Sequence, residues 1–318
     1  MVTFKRLALS TTAITYVLIL VGGLVRASGA GLGCPDWPRC FGSWIPPLSA
    51  ADLPAQFDPA QFNPALMWTE YLNRLLGVTV GLMILATTVS AWRHHRREPR
   101  ILWTVVAALL LTGFQGWLGG QVVAHELAPW LVTVHLIVAL VIVSLLLCAT
   151  VFAFFAGPGA VGASRGARWR LAWGGLGLIG VTLMQVGFGA HVRGAVDDAL
   201  QAGVPRAEAF DAGGWIDLLH RELSLIVLGG SLLLLLYVWR RHPRERSIAI
   251  AAQAVVGLVG MQIGLGLVLA YGALPPPAQV AHLVAASLLL GAQTVVVLLA
   301  WWLPAHDATF IRQAPGGS

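Results

Sequence analysis

The sequence predicts an all-α polytopic membrane protein: eight transmembrane helices arranged as two parallel-repeat four-helix bundles, with both termini cytoplasmic. Three observations carry that expectation. Hydrophobic residues fill 57% of the 318 positions and charged residues only 11%, against about 25% charged in an ordinary soluble domain. Apolar stretches of the roughly 20 residues needed to cross a bilayer recur along the whole chain, and the mean hydropathy is +0.77. Finally, one register of self-similarity runs through several of these stretches.

The elements follow in order. The first span, residues 8–26, follows Lys5 and Arg6 and ends in Ala27-Ser28-Gly29-Ala30. That pattern is shared with signal peptides, but its end resembles the end of the fifth span, so it is read as a retained helix. An outer loop, 27–66, contains Gly33-Cys34-Pro35-Asp36-Trp37-Pro38-Arg39-Cys40 and then turns rich in Pro and Asp. Spans two (67–92) and three (101–123) are joined through Arg93, Arg96, Arg97 and Arg100. Span four (130–154) begins after Pro129, and Arg165, Arg168 and Arg170 lead into span five (170–191). A second outer loop, 192–215, precedes span six (216–239), which Arg240, Arg241, Arg244 and Arg246 follow. Spans seven (248–271) and eight (278–303) complete the set. Trp130, Trp215, Pro277 and Trp301 lie at their ends, as an interfacial belt requires.

Charge orients these spans. With Lys5, Arg6 and Arg312 at the termini, the basic residues just named place 14 of the 20 Lys and Arg on one side. Of the 14 acids, only Glu98, Glu245 and Asp307 share that side. Lys and Arg mark the cytoplasmic face. The net charge of +6 therefore reflects loop placement, and nothing points to nucleic acid. Cys34 and Cys40 fall on the outer, oxidising side, where disulfides persist; a disulfide is favoured over two free thiols. Cys148, deep in span four, reads as a small apolar residue.

The repeat locates a candidate site. Phe114-Gln115-Gly116-Trp117-Leu118-Gly119 resembles Met261-Gln262-Ile263-Gly264-Leu265-Gly266, a shift of 262 − 115 = 147. The same shift relates His135 to His282, Trp68 to Trp215, Glu70 to Asp217 and Arg74 to Arg221. The ends of spans one and five correspond through Gly22…Arg26 and Gly189…Arg193, where the shift is 189 − 22 = 167 because the first outer loop is longer. Each half, 1–155 and 156–318, is thus a four-helix unit, and an even number of crossings makes the two units parallel.

His135, His220 and His282 lie five or six residues inside their spans, roughly 8–9 Å below the outer rim at ~1.5 Å per residue. Two imidazoles at one depth on facing helices can hold both axial positions of a haem iron. The bland alternative, a core histidine bonded to its neighbour, weakens when the pair recurs through duplication. The position equivalent to His220 is Asn73 in the N-terminal half, which leaves His135 as the one strong ligand there. A half with two histidines suits electron relay; a half with an open position suits dioxygen chemistry. Glu70 and Asp217 share helical faces with Asn73 and His220; Glu70 is the better candidate for proton handling, and Asp217 fits an acid in a first helical turn. Arg26, Arg74, Arg193 and Arg221 could meet haem propionates or simply anchor the interface. His125 and His191, in or beside outer loops, read as solvated, and His94, His95, His242 and His306 accompany cytoplasmic basic loops.

These residues resemble the haem A synthase family across essentially the whole chain. The resemblance rests on Gly22…Gly31 with Cys34-Pro35-Asp36-Trp37-Pro38-Arg39-Cys40, on Glu70…Arg74, and on the helices bearing His135, His220 and His282. It implies a haem b held by His220 and His282, substrate haem O in the N-terminal half, and oxidation of a haem methyl to a formyl with dioxygen. It also implies that Glu70 is the important acid and that Cys34 and Cys40 form the outer-loop disulfide. Many members carry a histidine where this chain has Asn73. Expected partners are membrane lipid of the bacterial inner membrane, with haem O synthase and cytochrome oxidase assembly as further candidates and a homo-oligomer compatible with the pattern. No motif names an electron donor. The rival reading is a b-type membrane cytochrome without oxygenation chemistry; a transporter fits less well, because the spans lack charges near the bilayer midplane.

Overall fold

The computed structural model describes residues 2–155, 165–206, 208–243 and 245–302. Among them stand eight long helices and no strand: α1 (Val2–Ala27), α2 (Pro64–His94), α3 (Pro99–Ala124), α4 (Pro129–Phe155), α5 (Arg165–Gln201), α6 (Gly214–Arg241), α7 (Arg246–Tyr271) and α8 (Pro276–Trp302). All eight are long and apolar enough to cross a membrane, and the chain is a multi-pass membrane protein. Arg244, His306, Asp307 and Arg312 lie outside the described residues, as do the side chains of Arg165 and Arg168.

Local sequence sets the helix starts. Proline occupies the first position of α2, α3, α4 and α8, where its missing N–H costs nothing and its fixed φ suits the first turn. Asn63 caps α2, its Oδ1 accepting from the backbone N–H of Ala65 and Leu66 at 3.1 and 3.3 Å. The expected span ends fall close to these helices except at α5, which runs to Gln201, ten residues past the expected end at 191. Tertiary packing sustains the extension: Val196 is buried against Ala209 and Leu274 from the neighbouring loop and turn. His191, expected in or beside a loop, consequently lies inside a helix and is exposed.

Neighbouring helices close two rings. α1 packs on α2, α2 on α3, α3 on α4 and α4 back on α1; α5, α6, α7 and α8 repeat the same cycle. Within each ring α2 and α4, or α6 and α8, are therefore diagonal partners across the interior. The rings meet through α1 and α4 on one side and α5 and α8 on the other. Small residues permit the approach: a Cβ on Gly23 would lie 3.0 Å from Leu283, and one on Gly291 would collide with the Tyr16 hydroxyl. Buried hydroxyls add polar ties in the lipid-facing fold, Thr11 to Thr87 at 2.9 Å and Thr12 to Thr150 at 3.0 Å.

The connecting turns are duplicated as well. Glu126 and Leu127 hold left-handed φ values of 50° and 62°, and Ala273 and Leu274, at the 147-residue shift, hold 55° and 57°. Consecutive non-glycine residues in this region are sterically costly, so the same turn precedes α4 and α8 only because packing enforces it; Leu127 lies against Gly31, and Leu274 is buried. At the opposite ends of α2 and α6, His95 pairs with Glu98 at 2.8 Å and His242 with Glu245 at 3.3 Å. Both histidines are buried, so they are more than companions of the basic loops in which the sequence places them.

Candidate functional site

The histidine-bearing helices of the C-terminal ring are the diagonal pair α6 and α8. Two glutamines on the intervening helices fix their height. The Gln185 amide on α5 donates to the backbone carbonyl of His220 at 2.9 Å, and the Gln262 amide on α7 donates to that of His282 at 2.7 Å. One turn further along each of these helices a glycine makes room for the ring. A Cβ on Gly189 would stand 2.8 Å from His220 Cε1, and one on Gly266 would stand 3.8 Å from His282 Cε1. His220 Nδ1 lies 3.1 Å from the Gln185 carbonyl, so it donates there and leaves the lone pair on Nε2. His282 Nδ1 is buried without a hydrogen-bond partner.

The N-terminal ring reproduces half of this arrangement. Gln115 on α3 donates to the His135 carbonyl at 2.9 Å, and a Cβ on Gly119 would lie 3.4 Å from His135 Cε1. His135 Nδ1 is also buried without a partner. On the diagonal helix α2, Asn73 stands where α6 has His220. It faces Gly22 as His220 faces Gly189, and its Oδ1 is buried without a hydrogen-bond partner. The α1 residue equivalent to Gln185 is Leu18.

Histidine depth alone does not reveal the role of the glutamines, although the chain carries their signal. Gln115/Gly119, Gln185/Gly189 and Gln262/Gly266 share one spacing of four, which puts both residues on the same helix face one turn apart. Only Leu18/Gly22 breaks it.

Glu70 and Arg74 turn toward the outer loop. Glu70 Oε2 accepts from the Cys34 N–H at 2.8 Å, while Oε1 accepts from Arg74 Nε at 3.1 Å and closely from Arg74 Nη2. Arg74 spends its remaining donors on the carbonyls of Asp36 (2.7 Å), Arg39 (2.8 Å) and Cys34 (3.2 Å). The loop is closed by the Cys34–Cys40 disulfide, with Cα atoms 4.8 Å apart. It seats Gly33 on the α2 backbone, where a Cβ would clash, and Trp37 on Gly120 of α3. Thus the loop caps the first ring at the end where α2 begins, and the buried ion pair is its latch.

The other arginines also find acids. Asp197 bridges the rings: its Oδ2 meets Arg26 Nη2 of α1 at 3.0 Å and its Oδ1 meets Arg193 Nη2 at 2.6 Å. Arg193 Nη1 remains buried and unpartnered. Arg221 pairs with Asp217 at 2.6 Å and lies over the Phe210 ring at 5.4 Å.

The chain matches the COX15-CtaA family of cytochrome oxidase assembly proteins over residues 5–294. A protein of Methylobacterium sp. (strain 4-46) named heme A synthase is 30% identical over 319 aligned positions, covering 88% of this chain and 87% of that one. A heme A synthase of Sphingopyxis alaskensis is 26% identical, covering 80% and 82%. With the heme A synthase of Allorhizobium ampelinum the identity is 29%, and the match spans 56% of this chain and about half, 53%, of that relative.

Proposed function

The chain belongs to the family of cytochrome oxidase assembly proteins, and from that membership we propose that it is a haem A synthase, oxidising a methyl group of haem O to a formyl group with dioxygen. The observation that carries the proposal is the thrice-repeated clasp of histidine, glutamine and glycine on the inner faces of two helix rings. Intramembrane imidazoles with unpartnered nitrogens are costly unless they serve a site. His135 Nδ1 and His282 Nδ1, free of protein partners, with glycines beside the rings to admit a flat body, fit an iron porphyrin.

His220 and His282 would hold haem b, which supplies electrons when bound. The Gln185 backbone carbonyl holds the His220 ring at Nδ1 and would leave Nε2 free for a metal, the usual task of a residue behind a ligand. In the half formed by residues 1–155, His135 would hold haem O as substrate. Each hydroxylation takes one dioxygen and two electrons, leaves one oxygen atom on the methyl carbon and releases the other as water; a second round and loss of water give the formyl group. We assign Glu70 to this half, since it lies one helical turn outward of Asn73 with its carboxylate positioned by Cys34 and Arg74. Arg193, through its unpartnered Nη1, and the partly exposed Arg221 are the rim cations best placed to take propionates; Arg26 and Arg74 would support them indirectly. The basic loops assign both termini to the cytoplasmic side of a bacterial inner membrane. Haem O synthase and the oxidase assembly machinery are the proposed neighbours.

The test is pigment extraction from membranes coexpressing this chain with a haem O source. Haem A beside haem b is expected, and Glu70→Ala should leave haem O unconverted. Haem b alone, with no haem O or haem A, would favour the b-type cytochrome instead.

A further inference from the structure

The two diagonal positions of the N-terminal ring are not equivalent, and the difference is built in two places at once. In the C-terminal ring His220 is locked to α5 by the reciprocal bonds with Gln185. In the N-terminal ring both members are replaced: Asn73 stands for the histidine and Leu18 for the glutamine. The opposite position keeps its full set, His135 with Gln115 and Gly119. A site decaying as a whole would lose both sides. Here one side is kept and the other changed together with its supporting residue.

Asn73 nevertheless stays polar at a place where its Oδ1 is buried and unpartnered. Position Gly22 still leaves open space before it, since a Cβ there would only reach 4.0 Å from the Asn73 oxygen. A carboxamide is shorter than imidazole and a poor ligand for iron, yet its NH2 supplies two hydrogen-bond donors. Donors opposite a single axial histidine decide whether a small molecule binds at haem and what becomes of it.

We propose that Asn73 is the hydrogen-bonding group of the substrate site, facing His135 across the first ring and donating to a diatomic ligand held between them. The proposal rests on the haem reading given above. Asn73 leaves the coordination position open, and its amide polarises what enters there. Leu18 lacks the side-chain amide with which Gln185 holds the backbone carbonyl of His220, so the α2 position is not tied to α1 in that way.

The experiment uses the full-length protein, purified with its haems, and carbon monoxide as the probe. In the wild type, carbon monoxide should bind one haem and leave the His220/His282 haem untouched. Asn73→Leu, of similar size without donors, should still bind carbon monoxide, but with a C–O stretch moved to higher frequency and dissociation about tenfold faster, the effect of about 1.4 kcal/mol. Asn73→Gln, which restores a donor, should recover part of both changes. Asn73→His should abolish carbon monoxide binding by filling the position. An unchanged stretch and dissociation rate in Asn73→Leu would overturn the role of Asn73. Carbon monoxide binding that survives His135→Ala, or is absent from the wild type, would instead overturn the underlying haem assignment. The low-spin signal of the second haem reports folding in every variant.

Discussion

Gln185 and His220 exchange hydrogen bonds: the glutamine side-chain amide donates to the histidine backbone carbonyl at 2.9 Å, and the histidine ring donates from Nδ1 to the glutamine backbone carbonyl at 3.1 Å. The backbone bond fixes how far α6 slides along α5, and the ring bond fixes which nitrogen carries the lone pair. One residue thereby sets both the height and the tautomer of a proposed ligand.

Removing the control of height should weaken haem b without unfolding the protein. Gln185→Leu copies what α1 carries at Leu18, so the substitution is compatible with helix packing. The variant removes the amide that holds the His220 backbone carbonyl but keeps the backbone carbonyl that accepts from the ring, so the loss of haem b affinity should be smaller than the roughly 10–100-fold that follows removal of a ring partner. Haem b occupancy after purification, and the position of its low-spin absorption, should both change.

The glycines beside the imidazoles make a graded prediction. A Cβ on Gly189 would stand 2.8 Å from His220 Cε1, nearer than real contacts allow, whereas one on Gly266 would stand 3.8 Å from His282 in ordinary contact. Gly189→Ala should therefore lose or distort the low-spin haem signal. Gly266→Ala should keep it, and Gly119→Ala, at 3.4 Å from His135, should fall between. Equal tolerance at 189 and 266 would contradict the arrangement.

Glu70 and Arg74 form a buried pair, their side chains 6% and 15% exposed, and removing one partner of such a pair leaves the other uncompensated at a cost of about 3–5 kcal/mol. Glu70→Ala should lower Tm in detergent and expose the Cys34–Cys40 disulfide to reductant, measured by thiol labelling. Glu70→Gln retains an acceptor for the Cys34 N–H. If it keeps the loop protected yet makes no haem A, the carboxylate has a chemical part beyond the latch.

Asp197 neutralises two arginines that arrive from different rings. Asp197→Ala should leave Arg26 and Arg193 repelling each other and reduce Tm by a few degrees, with a larger drop at low salt because Coulomb repulsion is then less screened. Asp197→Asn should be milder. Salt-independent stability in both variants would show that the bridge contributes nothing.

Span number, histidine depth and the inequality of His220 and Asn73 are all legible in the chain itself. They depend on apolar length, residue count and register, and each of those is a one-dimensional property. Even the clasp is written there, in the spacing of Gln115/Gly119, Gln185/Gly189 and Gln262/Gly266, but spacing alone does not say which helix a glutamine meets. The four rim arginines show the same limit. Their acids are readable, while Asp197 meets Arg26 only because α5 continues to Gln201, beyond the end its hydrophobicity predicts.

What the sequence by itself determined is therefore the set of membrane-crossing helices and the level at which each histidine rides, because hydrophobic length and helical rise act locally. The tertiary structure decided which side chains share an interior: that α2 opposes α4 and α6 opposes α8, that Glu70 and Arg74 latch the disulfide loop, and that Asn73 stands before Gly22 without a partner. Those relations come from helices distant in sequence reaching the same depth, and only packing around a closed ring settles them.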